Sequence, residues 1–331
     1  MVFHQLTGPA FRSSVIAGLV GASWAALAAP ASAATYAGNA VSLRDITADV
    51  RIVTAEREDI DVTIRQGTEF QTIRIIHDEK AGRVTLQGEG WNDPEGGCCD
   101  SRITREFEAT ADREKNRRRD PAEARADAFK MFPVIEIAMP RTGAAEFDDV
   151  RMLISMGDLA GGVVMDACYA YGEIGDLEEA AIGIVDGSRL VVGDVRADLE
   201  IDLSGDADIR VGNAGAVDVD VSGSGEAVLA TVDGMLDVSI AGSGLVRAAR
   251  LDGPLTTRIA GSGDVYVQSG RADPLKAIIQ GSGSVTFEGP VGGTDLRLSR
   301  SAIARLGSVN GRVNKTGSGV VFVNGRPVDA E

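Results

Sequence analysis

The chain of 331 residues is poor in aromatic side chains, in positive charge and in long apolar runs. Aromatic residues make up 5% of it, which argues against a core of stacked rings, whereas its 41 glycines favour a turn-dense all-β chain. The 33 Lys and Arg against 49 Asp and Glu give a net charge of −16, which disfavours nucleic acid as a partner. No apolar run reaches the roughly 20 residues that a membrane span needs.

Histidine and cysteine are also scarce. One of the two histidines, His77, lies beyond the first 33 residues, and no Cys/His spacing surrounds it. We therefore predict no metal ligand, no cofactor and no catalytic residue. The three cysteines are Cys98, Cys99 and Cys168, an odd number that predicts one disulfide with a free thiol, or a bridge between chains. All three pairings within the chain stay open.

The first residues have the form of a secretory signal peptide. A short apolar run over residues 15–29 is followed by Ala31-Ser32-Ala33, a small-x-small cleavage sequence. We predict a signal peptide over residues 1–33 with a cut after Ala33, and a mature protein that is periplasmic or secreted. The alternative interpretation, a membrane anchor, is disfavoured because the run is too short to cross a bilayer.

Three regions and a tail follow the signal. Residues 34–90 alternate apolar and polar side chains and predict N-terminal β-strands or the first coils of a repeat. Residues 91–130 are dense in charge and turn formers, so we expect a partly disordered insertion with a short helix from Pro121 to about Lys130. Residues 131–325 form the repeat domain, and residues 326–331 a C-terminal tail.

Tripeptides of Gly-Ser-Gly mark the repeat. They begin at Gly223, Gly242, Gly261, Gly281 and Gly317, and the longer last interval hides a degenerate copy marked by Arg300. Earlier copies have their marks at Gly205 and near Asp186, which gives seven clear copies and two weaker ones from residue 149 onward. A copy of about 19 residues is too short for a propeller blade of about 40 residues.

Apolar residues recur at fixed distances from each mark and define inward-facing columns. Two residues before the mark stand Leu203, Val221, Ile240, Ile259, Ile279 and Leu298. Four before it stand Ile201, Val219, Val238, Thr257, Ala277, Leu296 and Val313, and four after it Ile209, Ala227, Val246, Val265, Val285, Ala304 and Val321. Each copy is thus two short strands joined by a corner, and copies of this size stack as coils. The fold class we predict is an all-β, single-stranded parallel β-helix, or β-solenoid, of about 19 residues per coil.

The repeats resemble a known family. Segments such as "SGSGEAVLA", "AGSGLVRAA", "AGSGDVYVQ" and "TGSGVVFVN" look like the head (GIN) domain of auto-transporter adhesins. The resemblance covers about residues 150–325 and implies a right-handed parallel β-helix in an exported bacterial protein. It implies little about activity, because the family name rests on architecture. The insertion with Cys98 and Cys99 departs from the family pattern.

Gly-Ser-Gly could also belong to a phosphate-binding loop or hold a serine nucleophile. Both are disfavoured, because each copy continues into a strand, no lysine recurs, and His77 lies in another region. The stronger alternative is a polysaccharide lyase or hydrolase on a β-helix, with Asp202, Asp218, Asp220 and Asp237 as paired carboxylates.

We favour a non-catalytic, adhesin-like or scaffold module of the bacterial envelope that binds polysaccharide or protein. Stacked coils would place one serine of each corner in a row of hydroxyls that faces a ligand or merely completes the corner: Ser224, Ser243, Ser262, Ser282, Ser301 and Ser318. Charge is unevenly spread, with a net charge of −16 over residues 141–244 and +4 over residues 245–331. This polarity suggests end-to-end self-association.

Overall fold

The computed structural model describes residues 31–65, 72–89, 129, 132–185, 187–299 and 301–328. Within them the chain forms 24 strands and no α-helix. The helix expected over residues 121–130 lies, apart from Phe129, outside the described part, as do Asp186 and Arg300. A helix long and apolar enough to cross a membrane is absent from the described residues.

The first eight strands build the N-terminal end and the first coils. They are β1 Ala31–Ala37, β2 Ala40–Ala55, β3 Asp59–Arg65, β4 Thr72–Asp78, β5 Arg83–Glu89, β6 Val134–Pro140, β7 Ala144–Met156 and β8 Leu159–Ile174. The next eight are β9 Leu177–Ile184, β10 Arg189–Val192, β11 Leu199–Gly205, β12 Asp208–Val211, β13 Val217–Gly223, β14 Glu226–Val232, β15 Leu236–Gly242 and β16 Leu245–Gly261. The last are β17 Asp264–Val267, β18 Gly270–Gly281, β19 Ser284–Val291, β20 Thr294–Leu298, β21 Ile303–Val309, β22 Val313–Thr316, β23 Val320–Val323 and β24 Arg326–Val328.

Parallel pairing between successive coils produces two long sheets. Sheet 1 contains the strands that precede the Gly-Ser-Gly corners: β9, β11, β13, β15, the second halves of β16 and β18, β20 and β22. Sheet 2 contains those that follow them: β10, β12, β14, the first half of β16, β17, β19, β21 and β23. The long strands β7 and β8 bend and contribute to both sheets. A short third side closes each coil through bridges such as Leu177 to Val195 and Val195 to Ala214. The chain is therefore a parallel β-solenoid of about nine turns, as predicted.

The core is a set of aliphatic ladders that run through the coils. Leu203 pairs with Val221 and Val221 with Ile240, which is the predicted register. Alternation turns these side chains inward, and all three are at most 2% exposed. One coil would leave its inner side chains open above and below, so burial of each, about 1.5–3 kcal/mol, depends on stacking.

The last coil departs from the expected register. Val313 pairs with Thr294 and not with Leu296, because the corner that begins at Gly317 lies level with Leu298 and is two residues shorter than the others. A shift of two residues keeps a side chain on the same face of a strand, and Val313 still packs, partly buried, against the core.

The N-terminal end has mixed pairing. β2 runs parallel to β5, β6 and β7, while β3 lies antiparallel between β1 and β6, and β4 antiparallel to β5. The predicted cut after Ala33 falls within β1 and would leave residues 34–37 paired with β3. At the other end β24, which contains the first residues of the expected tail, lies antiparallel on β23.

The Gly-Ser-Gly corners leave no space for a side chain at their first position. Gly223 and Gly242 have φ angles of 131° and 130°, a region that favours glycine. A Cβ atom at Gly242 would also overlap the carbonyl oxygen of Gly223 in the coil before it. These glycines are therefore structural, as the corner interpretation predicted.

Candidate functional site

Carboxylates cover the outer face of sheet 1 from β8 to β15. This acidic face consists of Asp166, Glu179, Asp198, Glu200, Asp202, Asp218, Asp220 and Asp237. Parallel pairing sets Glu200 beside Asp218, and Asp202 beside Asp220. Neighbouring strands are about 4.8 Å apart, so like charges lie one above another along the solenoid.

Most of this charge has no compensating cation. Arg258 Nη1 lies 2.8 Å from Asp237 Oδ1, but the other carboxylates of the acidic face have no ion-pair partner within the part of the chain that the structure describes. Burial raises the pKa of Asp202 above its ordinary value, and repulsion from Asp220 adds to the rise. The pKa of Asp218 is raised by burial and then by repulsion from Asp237. The face therefore retains its negative charge at a cost to the folded state.

A groove runs along the acidic face over the starts of the sheet 1 strands. Its volume is about 510 Å³, and its walls include Glu179, Asp198, Glu200 and Asp218. Gly162, Ala181 and Ala216 form its shallow floor, since their side chains are small. A second hollow of about 340 Å³ continues it over Asp166 and Asp202. We call the two together the acidic groove.

Apolar side chains stand at both ends of the acidic groove. Val164 on β8 is 57% exposed, and Met235 immediately before β15 is 47% exposed. The groove thus offers apolar contact at its ends and negative charge between them. Such an arrangement fits an extended partner with both apolar and cationic side chains.

The carboxylates do not form a metal cage. Among the described residues, no group of three or more Asp, Glu, His or Cys side chains lies close enough to hold a metal ion. The charges are instead spread over several coils, which suits several separate cationic groups better than one ion.

The six predicted serines lie outside the groove, and four of them, Ser224, Ser243, Ser262 and Ser282, occupy matching positions at successive corners. Each is exposed at its corner, and the backbone N–H groups of Ser224 and Ser243 donate to the carbonyls of Gly205 and Gly223 at 2.7 and 2.8 Å. Within the described residues none of the six hydroxyls has a hydrogen-bond partner. The serines lie where the sheet 1 strands end, whereas the groove covers the starts of these strands. The structure therefore separates the two predicted sets of residues.

The acids Asp202, Asp218, Asp220 and Asp237 come together as two columns on three consecutive strands. The alternation of apolar and polar residues in the sequence did not reveal that Asp198 and Met235 line the same groove. Both precede their strands at the turn into sheet 1, where the alternation breaks. The signal that could have found them is their position seven residues before the mark, in register with Glu179 and Ala216.

A second ladder, at the corner after sheet 2, was also missed. Asp158 Oδ1 accepts the N–H of Asp176 at 3.1 Å, Asp176 Oδ1 that of Asp194 at 2.9 Å, and Asp194 Oδ1 that of Asn213 at 2.7 Å. Its signal in the sequence is Gly-Asp or Gly-Asn at intervals of 18 or 19 residues. These side chains join one coil to the next, so we call them the Asp ladder.

Cys168 lies half-buried in β8 and is disulfide-bonded. Cys98 and Cys99 lie outside the described residues.

The coil geometry defines the chain as a parallel β-solenoid. Residues 179–290 match the family described as "Putative auto-transporter adhesin, head GIN domain". The matched segment contains the corners at Gly223, Gly242, Gly261 and Gly281, so the family resemblance inferred from these motifs is confirmed there. None of the curated proteins matches the chain.

Several solved structures are similar at low identity. A putative adhesin from Parabacteroides distasonis is 15% identical, with 89% of this chain and 97% of that chain covered and a TM-score of 0.37. A putative adhesin from Parabacteroides merdae is 13% identical, with 88% and 95% covered and a TM-score of 0.33. A putative lipid binding protein from Parabacteroides distasonis is 11% identical, with 88% and 96% covered and a TM-score of 0.33. Similarity at this level assigns no ligand or partner to the chain.

Proposed function

We propose that this protein is an exported, non-catalytic, adhesin-like module of the bacterial envelope, and that its acidic groove binds an extended cationic segment of a protein. The adhesin family matched by residues 179–290 supports the binding role. Export rests on the predicted signal peptide.

The observation that carries the proposal is a groove lined by carboxylates without cations beside them. Glu200 and Asp218 are neighbours on adjacent strands, and each lacks an ion-pair partner among the described residues. Like charges at this separation repel, which destabilises the unoccupied protein. Lysine or arginine side chains of a partner would remove that repulsion, and steering by the negative face would speed their association.

The dimensions of the groove favour a short extended peptide. From β8 to β15 the groove crosses five strands of sheet 1, β8, β9, β11, β13 and β15, or about 19 Å at 4.8 Å per step. An extended chain advances about 3.3 Å per residue, so about six residues fit. The exposed Val164 and Met235 would contact apolar side chains at the two ends of such a peptide.

The test is the affinity for fluorescent hexapeptides that have apolar ends and a lysine, glutamine or glutamate centre. We expect the lysine peptide alone to bind, and binding to weaken with salt because exposed charges are screened. The double variant Glu200→Gln/Asp218→Asn should weaken binding about tenfold, since 1.4 kcal/mol corresponds to a factor of ten.

A matched control removes the same charge elsewhere. Glu56→Gln/Glu58→Gln lies in the exposed turn between β2 and β3, so it should leave affinity unchanged. Equal affinity for the lysine and glutamate peptides would refute a cationic partner. Release of new chain ends from a polysaccharide by the purified protein would refute the non-catalytic assignment and favour a lyase or hydrolase.

The serine row supports a second candidate, a glycan. The hydroxyls of Ser224, Ser243, Ser262 and Ser282 are exposed and free of partners among the described residues, and at successive corners they would repeat at about 4.8 Å per coil. A glycan array distinguishes the candidates, because Ser243→Ala/Ser262→Ala would abolish glycan binding there and leave peptide binding intact.

A further inference from the structure

The outer face of sheet 1 changes the sign of its charge at one boundary, between β15 and the second half of β16. On the far side, Arg258, Lys276 and Arg297 stand exposed on three consecutive strands of the sheet. The ion pair of Arg258 with Asp237 lies at the boundary itself. The outer face of sheet 1 thus carries an acidic half and a basic half.

The strand register fixes the order of these charges. One outward column reads Asp202, Asp220, Ser239, Arg258, Ile278 and Arg297. The neighbouring column reads Glu200, Asp218, Asp237, Thr256, Lys276 and Asp295. In each column the boundary lies between the third and fourth residues.

A two-fold axis parallel to the strands, placed at this boundary, would bring the outer face of sheet 1 of one copy against the same face of a second copy. Strand β13 would then oppose β18 of the second copy, and β11 would oppose β20. Asp218 would face Lys276 and Asp202 would face Arg297, and symmetry repeats each pair. One opposition is unfavourable, Glu200 against Asp295, so the favourable pairs outnumber the unfavourable ones by two to one.

We propose that two copies of this chain associate through the outer face of sheet 1, with their solenoids antiparallel. This contact places the acidic half of each copy against the basic half of the other. The more acidic coils that contain β7 and β8 extend past the last coil of the partner, which keeps the two acidic ends apart. The contact differs from the end-to-end association that the charge polarity suggested.

The size of the face predicts a weak association. Six strands at about 4.8 Å, each about 18 Å long, cover roughly 500 Å² per copy. The total of about 1,000 Å² is at the low end for specific complexes, and the contact is mainly charged. The dimer should therefore form at low salt and dissociate at high salt.

The inference rests on the proposed function in one respect, namely that the acidic face is a binding surface. Sedimentation over a range of protein concentrations, at about 0.02 M and about 0.5 M salt, measures self-association. We expect dimers at low salt only. Lys276→Glu and Asp218→Lys should each weaken self-association about tenfold or more, since each creates two like-charge oppositions.

Mixing the two variants gives the decisive result. In a mixed dimer, the residue at position 276 of the first variant faces the residue at position 218 of the second with opposite charge, so association should return. Arg312→Glu, an exposed change of the same charge on the third side, should leave association unaffected. Circular dichroism shows whether each variant is folded, and recovery on mixing excludes misfolding as the cause.

The failures are distinguishable. A monomer at every salt concentration, a dimer insensitive to Lys276→Glu, or a mixture that stays monomeric would overturn the face-to-face contact. In that case the Lys276→Glu variant should still bind the lysine peptide, because it retains the acidic groove. Conversely, a dimer that meets all the expectations but binds no lysine peptide would overturn the proposed function alone.

Discussion

Thr257 occupies an inward position that its neighbours fill with purely apolar side chains. It lies in a column with Val238 and Ala277 and is fully buried, and its Oγ1 atom has no hydrogen-bond partner among the described residues. A buried hydroxyl without a partner costs about 1 kcal/mol or more. We expect Thr257→Val, which keeps the shape and removes the hydroxyl, to stabilise the protein by about 1 kcal/mol and raise the Tm by about 2 °C. Thr256→Val, on the half-exposed face of the same strand, is the control and should change the Tm little. A lower Tm for Thr257→Val would show that the Thr257 hydroxyl has a hydrogen-bond partner.

Asp218 links the acidic face to the pH dependence of stability. Burial, followed by repulsion from Asp237, raises its pKa above the ordinary value of 3.8. A raised pKa means that the folded state holds the proton more tightly, so this contribution to stability is present below pH 3.8 and is lost as the pH rises through the folded pKa. We expect Asp218→Asn to raise the Tm at pH 7 and to lose this advantage near pH 3.5. Thermal unfolding across this range is the measurement, with Asp233→Asn on the exposed third side as control. An advantage independent of pH would exclude the electrostatic cause.

Among the elements, the corners depend most strongly on single residues. Gly242 has a φ of 130°, and a Cβ atom there would overlap the carbonyl oxygen of Gly223. We expect Gly242→Ala to destabilise the protein by about 2–4 kcal/mol, because a strained backbone and a displaced coil add together. Gly293→Ala is the matched control, since nothing lies within 4 Å of a Cβ atom at that position. Urea unfolding measures both, and equal stabilities would contradict the close approach of coils at the corner.

The Asp ladder makes a second prediction for an element. Asp176 Oδ1 accepts the N–H of Asp194 at 2.9 Å, and Asn213 shows that an amide occurs at the end of the same ladder. We expect Asp176→Ala to cost about 1–2 kcal/mol through the lost charge-assisted hydrogen bond, and Asp176→Asn to cost much less because it keeps the acceptor. Urea unfolding of the two variants is again the measurement. Equal losses would assign the effect to charge and not to the acceptor.

The repeated strands were predictable because the sequence of each copy contains the mark that fixes its register. Alternation together with the Gly-Ser-Gly mark gave the inner columns, from Leu203 to Leu298, as the pairings have them. Val313 was misplaced because a corner two residues shorter leaves the alternation intact. The antiparallel places of β1, β3 and β4 were not predictable, since alternation identifies a strand but not its neighbour. The groove required two columns and the turn before them, and at that turn the position recurs but the residue type does not, as Glu179, Asp198, Ala216 and Met235 show.

At the scale of the whole molecule, the number of free thiols shows which distant regions of the chain a disulfide joins. The chain has three cysteines and Cys168 is bonded, so one thiol should remain per chain. Thiol titration in denaturant should give one thiol without reductant and three with it. The variant Cys168→Ser should give two thiols, because it frees the former partner. No thiol in that variant would show that Cys98 and Cys99 pair with each other.

The two ends of the solenoid are built differently from its middle. Antiparallel strands lie at the N-terminal end on β5 and β6, and β24 lies antiparallel on the last coil. A parallel stack would otherwise present rows of unpaired backbone groups at its ends. A further parallel coil cannot continue the pairing of these antiparallel strands. The two ends therefore limit the addition of coils by stacking.

Like-over-like register has a consequence for how such a chain can change in length. Because residues of the regular coils pair with their counterparts one coil away, inserting a whole coil of about 19 residues between two such coils preserves the pairings on both sides of the insertion. Inserting one residue within a strand would exchange inner and outer side chains for the rest of that strand. The solenoid can thus lengthen in steps of about 4.8 Å, each of which adds one row to its outer faces. The length of the solenoid is set by the number of copies, while the outward-facing residues of each row can differ.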